Sequence, residues 1–205
     1  MIGLLKKDML LIVKSLSPIY FIAIMPPLMV SLNNPNYSIF IILTVFDFLV
    51  AMQIQTTMEW DERTHWKNTL MSMPIRAEVA AFSKYLLAFV LASFAGVVHG
   101  IVSIIILKKL SAFYIVMAFV VIIIYNALII PVSFAFGTNK SKYFLIFFVT
   151  IPTFLAFLFQ KFNINIRKYI MSYSTKEIYV FSFCVLIVFV CVSIAVSIKA
   201  LNKKE

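Results

Sequence analysis

The chain has 205 residues, of which 63% are hydrophobic and only 13% charged. Soluble domains run at roughly half apolar and about a quarter charged, so this apolar excess cannot be buried in a soluble core of this size and must face lipid. The net charge of +10 would suggest nucleic acid in a soluble protein, but here the basic residues flank and separate apolar runs, where they set topology and meet anionic headgroups.

Residues 2–15 are apolar with Lys6, Lys7, Asp8 and Lys14 interspersed. The charges make residues 1–16 a poor spanning segment and a fair interfacial helix. No small-residue cleavage site precedes a polar region, so this start does not read as a signal peptide. Pro18 separates it from a first span over 18–32, which Pro26-Pro27 interrupts and Asn33-Asn34-Pro35-Asn36 ends. The second span covers 38–57. It contains Asp47 and fades through Gln53, Gln55, Thr56 and Thr57.

The segment 58–78 is the most polar internal stretch. Trp66, Leu70 and Met73 recur at i, i+4 and i+7, which predicts a short helix with one apolar stripe, ended by Pro74. Asp61 and Glu62 sit where they complement the positive end of its dipole. Such a helix is suited to a groove on a soluble partner, and the alternative is a helix lying on the membrane surface.

The third span, 79–107, reaches about 40 Å as a helix and so must tilt or protrude. Lys108-Lys109 forms a turn. The fourth span is 112–136 with Pro131 near its end, followed by the polar turn 137–142. The fifth is 143–159, containing Pro152 and rich in Phe (Phe144, Phe147, Phe148, Phe154, Phe157, Phe159). That enrichment suits lipid contact or an aromatic lining for an amphipathic substrate. Residues 160–177 are polar and mixed, and 178–198 is the sixth span. Cys184 and Cys191 are too far apart on one helix face to bridge, and they read as small apolar residues.

With six spans both termini share a side. Twelve basic residues collect there against six opposite, which makes that side cytoplasmic. The expected fold is therefore one all-α integral membrane domain over 1–205: an interfacial helix plus six transmembrane helices, with a cytoplasmic loop at 58–76 and an extracellular segment at 160–177.

No motif for chemistry appears. There is no G-x-x-x-x-G-K-[ST] phosphate loop, no H-E-x-x-H and no G-x-S-x-G. Two Cys and two scattered His give no zinc set, so no catalytic residue and no metal is assigned. Ala88, Ala92, Gly96 and Gly100 repeat every four residues in the third span, a small-residue ridge for close helix packing within the chain or between two copies. Asp47 and His99 are the ionisable groups deepest in the spans. Each must face protein or a water-filled cavity, as part of a translocation path, a proton relay or a structural hydrogen bond.

At the 58–76 loop the sequence resembles the small ABC-2-type permeases of bacterial ATP-binding-cassette exporters. The residues that carry the resemblance are Asp61-Glu62, Trp66, Leu70-Met71-Ser72-Met73-Pro74, Arg76 and Lys84-Tyr85, together with Leu4-Leu5-Lys6-Lys7-Asp8 at the start. Ala77 stands where the family usually has Arg, with Arg76 one place earlier. The resemblance extends over essentially the whole chain and is strongest to the permeases of phenol-soluble-modulin exporters.

It implies a permease subunit in the bacterial cell membrane that exports amphipathic or hydrophobic peptides and carries no ATPase site of its own. A separate ABC ATPase subunit, holding ATP and Mg, would dock on a coupling helix through Asp61, Glu62, His65, Trp66, Thr69, Leu70 and Met73. A second permease chain, identical or paralogous, would complete the path. Two rivals come from other classes: an ion- or proton-coupled carrier built on Asp47 and His99, and a non-transporting scaffold or immunity protein.

Overall fold

The computed structural model describes residues 2–15, 35–66, 69, 76–108, 110, 112–144 and 175–202. The expected first span, Leu70 and Met73, most of the fifth span and residues 160–174 lie outside the described residues. The described part is all helical: α1 (Ile2–Ser15), α2 (Pro35–Arg63), α3 (Ala77–Leu107), α4 (Ala112–Phe136) and α5 (Thr175–Asn202). A short helical stretch over 138–144 follows α4.

Among the described residues three helices are long and apolar enough to cross a membrane: Glu78–Ile105, Ala112–Phe136 and Phe183–Asn202. They correspond to the expected third, fourth and sixth spans. Each turns large apolar side chains outward, among them Phe89, Phe94 and Ile105 on α3, Phe113 and Val116 on α4, and Phe183, Val188 and Val192 on α5. In water such surface would associate, whereas in hydrocarbon it is solvated.

α2 is built differently. Its polar residues Asp47, Gln53, Gln55 and Thr57 are buried among the other helices, and it continues to Arg63 rather than fading at 57. His65 then adopts φ 50°, and its N–H reaches the Glu62 carbonyl at 3.2 Å, which closes the helix with a left-handed residue.

α4 packs against α2, α3 and α5. It carries Asn126 as a buried polar residue and no charged one, and Ile122, Tyr125, Ile129 and Ile130 bury against neighbours on several sides. Its partner α3 presents the small ridge. All four residues of that ridge are buried within the chain. A Cβ on Gly96 would stand 3.1 Å from Phe119 Cε2, so the missing side chain lets α4 approach, while at Gly100 the nearest atom, on Ile115, is 3.6 Å away.

Pro131 lies inside α4 and lacks an N–H, so the carbonyl of Ala127 four residues back has no ladder donor. The Ser193 hydroxyl of α5 donates to that carbonyl. Ser193 Oγ then accepts from Tyr85 of α3 at 2.6 Å, and Tyr85 in turn accepts from Ser197 at 2.8 Å. One proline vacancy thus fastens three helices through a relay of hydroxyls.

Ser193→Ala is expected to cost about 1 kcal/mol, the scale of a hydrogen bond between membrane helices. In a Pro131→Ala background, where residue 131 supplies the missing N–H, the same change is expected to cost much less. Thermal unfolding of the four chains of that cycle in detergent measures it, and equal costs in both backgrounds would refute the relay.

Candidate functional site

Two clusters of ionisable side chains hold α2 against α3. The first lies where α2 ends and α3 begins. The Lys84 ammonium is 2.7 Å from Asp61 Oδ2, 2.9 Å from Asp8 Oδ2 and 3.2 Å from Thr57 Oγ1. The ammonium donates hydrogen bonds to Thr57 and Asp61, and Asp8 adds an ion-pair contact. The other carboxylate oxygens of the same acids turn to Lys7: Asp61 Oδ1 accepts from its ammonium, and Asp8 Oδ1 lies 3.2 Å away in a looser contact without hydrogen-bond alignment. Two acids and two lysines therefore form a closed ring of zero net charge, and Lys84 and Asp8 in it are buried. The Lys7 ammonium also stands 4.4 Å over the Trp66 ring.

The local sequence makes this possible. On α1 the buried stripe is Leu4, Asp8 and Ile12, one helical face with an acid at its middle. Ile12 packs with Ile54, Met58, Leu87 and Ala88, which seats α1 on both partners. The opposite side of α1 leaves Ile2, Leu10 and Val13 exposed.

Around the ring, Glu62 accepts from the N–H of Thr138 at 2.7 Å and from its hydroxyl, next to Gly137 at φ 87°. A Cβ at Gly137 would push aside only the tip of the Glu62 side chain, so it is the left-handed φ that calls for glycine at this turn. Glu59 pairs with Arg63 at 2.6 Å and Lys142 at 3.1 Å. Burial alone would raise the Glu59 carboxyl, but Lys142 and Arg63 outweigh it and hold the carboxyl below its ordinary value. A further thread runs from Tyr125 to Gln55 Oε1 at 3.0 Å, from Gln55 to Ser141 at 3.2 Å, and from Ser141 to the Thr138 carbonyl at 2.7 Å. The ring borders a cavity of about 170 Å³ that Trp66, Glu62, Ser133 and Thr138 also line.

The second cluster is Asp47 with His99. Both are about 1% exposed, and Nε2 stands 3.0 Å from Oδ1. His99 Nδ1 lies 2.9 Å from the Tyr114 carbonyl of α4, and Phe46 sits beside the ring. Asp47 precedes Asp61 by 14 residues and Lys84 precedes His99 by 15, so the two clusters lie about 21 Å apart along an antiparallel pair.

The residues expected to act together thus fall into two places. Asp61 is half-buried and engaged by lysines, Glu62 is exposed but bonded to Thr138, His65 and Thr69 are exposed beyond the ring, and Trp66 is half-buried under Lys7. Asp47 and His99 meet each other. Ala88 and Ala92 join the two apolar cores, and Gly96 and Gly100 face Ile115 of α4. Lys7, Asp8 and Lys84 belong to runs that carry the family resemblance, but no spacing pairs them with one another in the sequence. The available signal was Lys84 itself, a lone cation entering an apolar run, and Asp8, the one acid of α1 on its apolar stripe.

Helices long and apolar enough to cross a membrane, with charges paired between them in the interior, make this an integral membrane domain. Residues 3–202 match the family described as ABC-2 family transporter protein, and the chain belongs to that family. Its membrane helices fit a permease subunit of such a transporter. Neither a curated protein nor a solved structure is matched by the chain.

Lys84→Met leaves Asp8 and Asp61 sharing one lysine and is expected to cost about 3–5 kcal/mol, the scale of a broken buried ion pair. Adding Asp8→Asn removes the surplus acid and is expected to recover part of that loss. Unfolding midpoints in detergent read both effects, and an additive double variant would argue against a closed ring.

Proposed function

We propose that this chain is the membrane-spanning permease subunit of an ABC exporter in a bacterial cell membrane, driven by a separate ATPase subunit that holds ATP and Mg. Its substrates are amphipathic or hydrophobic peptides. The reading includes six spans with both termini cytoplasmic, α1 lying along the interface, and a second permease chain completing the path.

The observation that carries the reading is the ring at the root of the 64–76 segment. A segment that receives a push must be anchored to the helices it moves. Here the tail of α2 is tied to α1 and α3 by four charges and to the 138–144 turn by Glu62. Beyond that anchor His65 and Thr69 are exposed. The contact surface for the ATPase is accordingly His65, Thr69, Leu70 and Met73, with Asp61, Glu62 and Trp66 as its support. Family membership supports the pairing with an ATPase.

Co-expression with the cognate ABC ATPase tests this. Leu70→Ala combined with Thr69→Ala is expected to reduce co-purification at least tenfold, while Phe94→Ala on the outward face of α3 leaves it unchanged. In proteoliposomes, accumulation of a labelled amphipathic helical peptide is expected to require ATP. Equal accumulation with a hydrolysis-dead ATPase would refute the exporter assignment.

A further inference from the structure

The contact between Asp47 and His99 requires a proton. His99 Nδ1 lies 2.9 Å from the Tyr114 carbonyl oxygen. A carbonyl oxygen only accepts, so Nδ1 carries a hydrogen. The neutral ring then presents a bare nitrogen at Nε2. That nitrogen is 3.0 Å from Asp47 Oδ1, both atoms are buried, and neither has an aligned hydrogen-bond partner. Two lone pairs confined at this distance, without water, repel each other, and one proton between them removes the repulsion. With it the pair is neutral overall, as imidazolium with carboxylate or as imidazole with carboxylic acid.

On α2, α3 and α4 the other charged groups stand well away from the pair along the helices. On α2 the next charged residue is Glu59, 12 residues and about 18 Å along the helix from Asp47. On α3 they are Lys84 at about 22 Å and Lys108, just past its end, at about 14 Å from His99. α4 carries no charged residue, and its titratable groups are Tyr114, whose carbonyl meets the ring, and Tyr125. α5 has Lys176 and Glu177 at its start and Lys199 in its last turn. α1 joins α2 and α3 at the other cluster. On α2, α3 and α4, neutrality at this depth therefore rests on the pair and its proton.

We propose that Asp47 and His99 form a one-proton binding site inside the membrane domain, which takes up a proton as α2 closes on α3 and releases it to water as the two helices part. When they separate, the carboxylate is hydrated as an anion and the imidazole keeps only the Nδ1 hydrogen, so one proton leaves per chain. The site stands whether or not an ATPase docks at 65–73, and a failed docking experiment leaves it intact.

His65→Asn suits the left-handed backbone at that position and leaves His99 as the single histidine. This chain, with ring nitrogens and Asp carboxyls isotopically labelled, is purified in lipid nanodiscs and examined by NMR at about pH 8, above the ordinary histidine range. The expected spectrum has hydrogen on Nδ1 and a second proton held between Nε2 and the Asp47 carboxyl. A ring protonated on Nε2 alone, or a bare Nε2 facing an ionised Asp47, overturns the proposal. Unfolding the chain in weakly buffered detergent with a pH indicator is a second measure. One more proton per chain is expected from it than from the same chain with Asp47→Asn, whose amide donates to Nε2 without an added proton. Equal release overturns the proposal, and if the chain carrying Asp47→Asn does not fold, the NMR spectrum decides alone.

Discussion

A charge in a low-dielectric interior must be matched where it sits, and this requirement organises the domain. Desolvating an unpaired carboxylate or ammonium costs several kcal/mol, more than most single packing contacts return. The bundle nevertheless buries Asp8, Asp47, Lys84 and His99. Each is matched across a helix boundary, so the matching fixes which helices are neighbours and at what register. Asp61 opposite Lys84 and Asp47 opposite His99 set α2 antiparallel to α3 along about four turns, and the apolar cores between them follow the same register. A slip of one residue would swing an acid away from its partner.

The remaining packing is arranged around that clipped pair. α4 offers no charge and contributes shape instead: Phe119 and Ile115 lie on the glycines of α3, and Tyr125 reaches Gln55 of α2. Its one irregularity, Pro131, supplies an acceptor that α5 uses. α5 has outward apolar surface over most of its length and is held to the bundle through Ser193 and Ser197 as well as by contact. Small hydroxyls can do this in lipid because they satisfy backbone carbonyls without bringing charge.

Much of this was legible in the sequence. Apolar runs bounded by lysines gave the third, fourth and sixth spans, since length and composition decide what can cross hydrocarbon. Asp47 and His99 stood out because ionisable groups are rare at such depth. The ridge through Gly96 was visible as a period of four, but periodicity carries no information about its partner, and Phe119 is found only by folding. Asp61 and Glu62 misled for a physical reason. An acidic pair at a presumed helix start fits a dipole argument, yet α2 continues past them to Arg63, so they stand at a helix end and serve partners 23 to 76 residues away. Such pairings depend on the approach of α1 and the 138–144 turn, which no local pattern encodes.

The two clips differ in how they can open. Breaking the ring separates four formal charges and strips a buried ammonium of three oxygens at once. Breaking the Asp47–His99 pair separates two groups that a single proton keeps neutral, and loss of that proton leaves an ordinary carboxylate and an ordinary imidazole for water to solvate. If α2 and α3 part, the ring end therefore resists more, with four ion-pair contacts against one at the Asp47–His99 end.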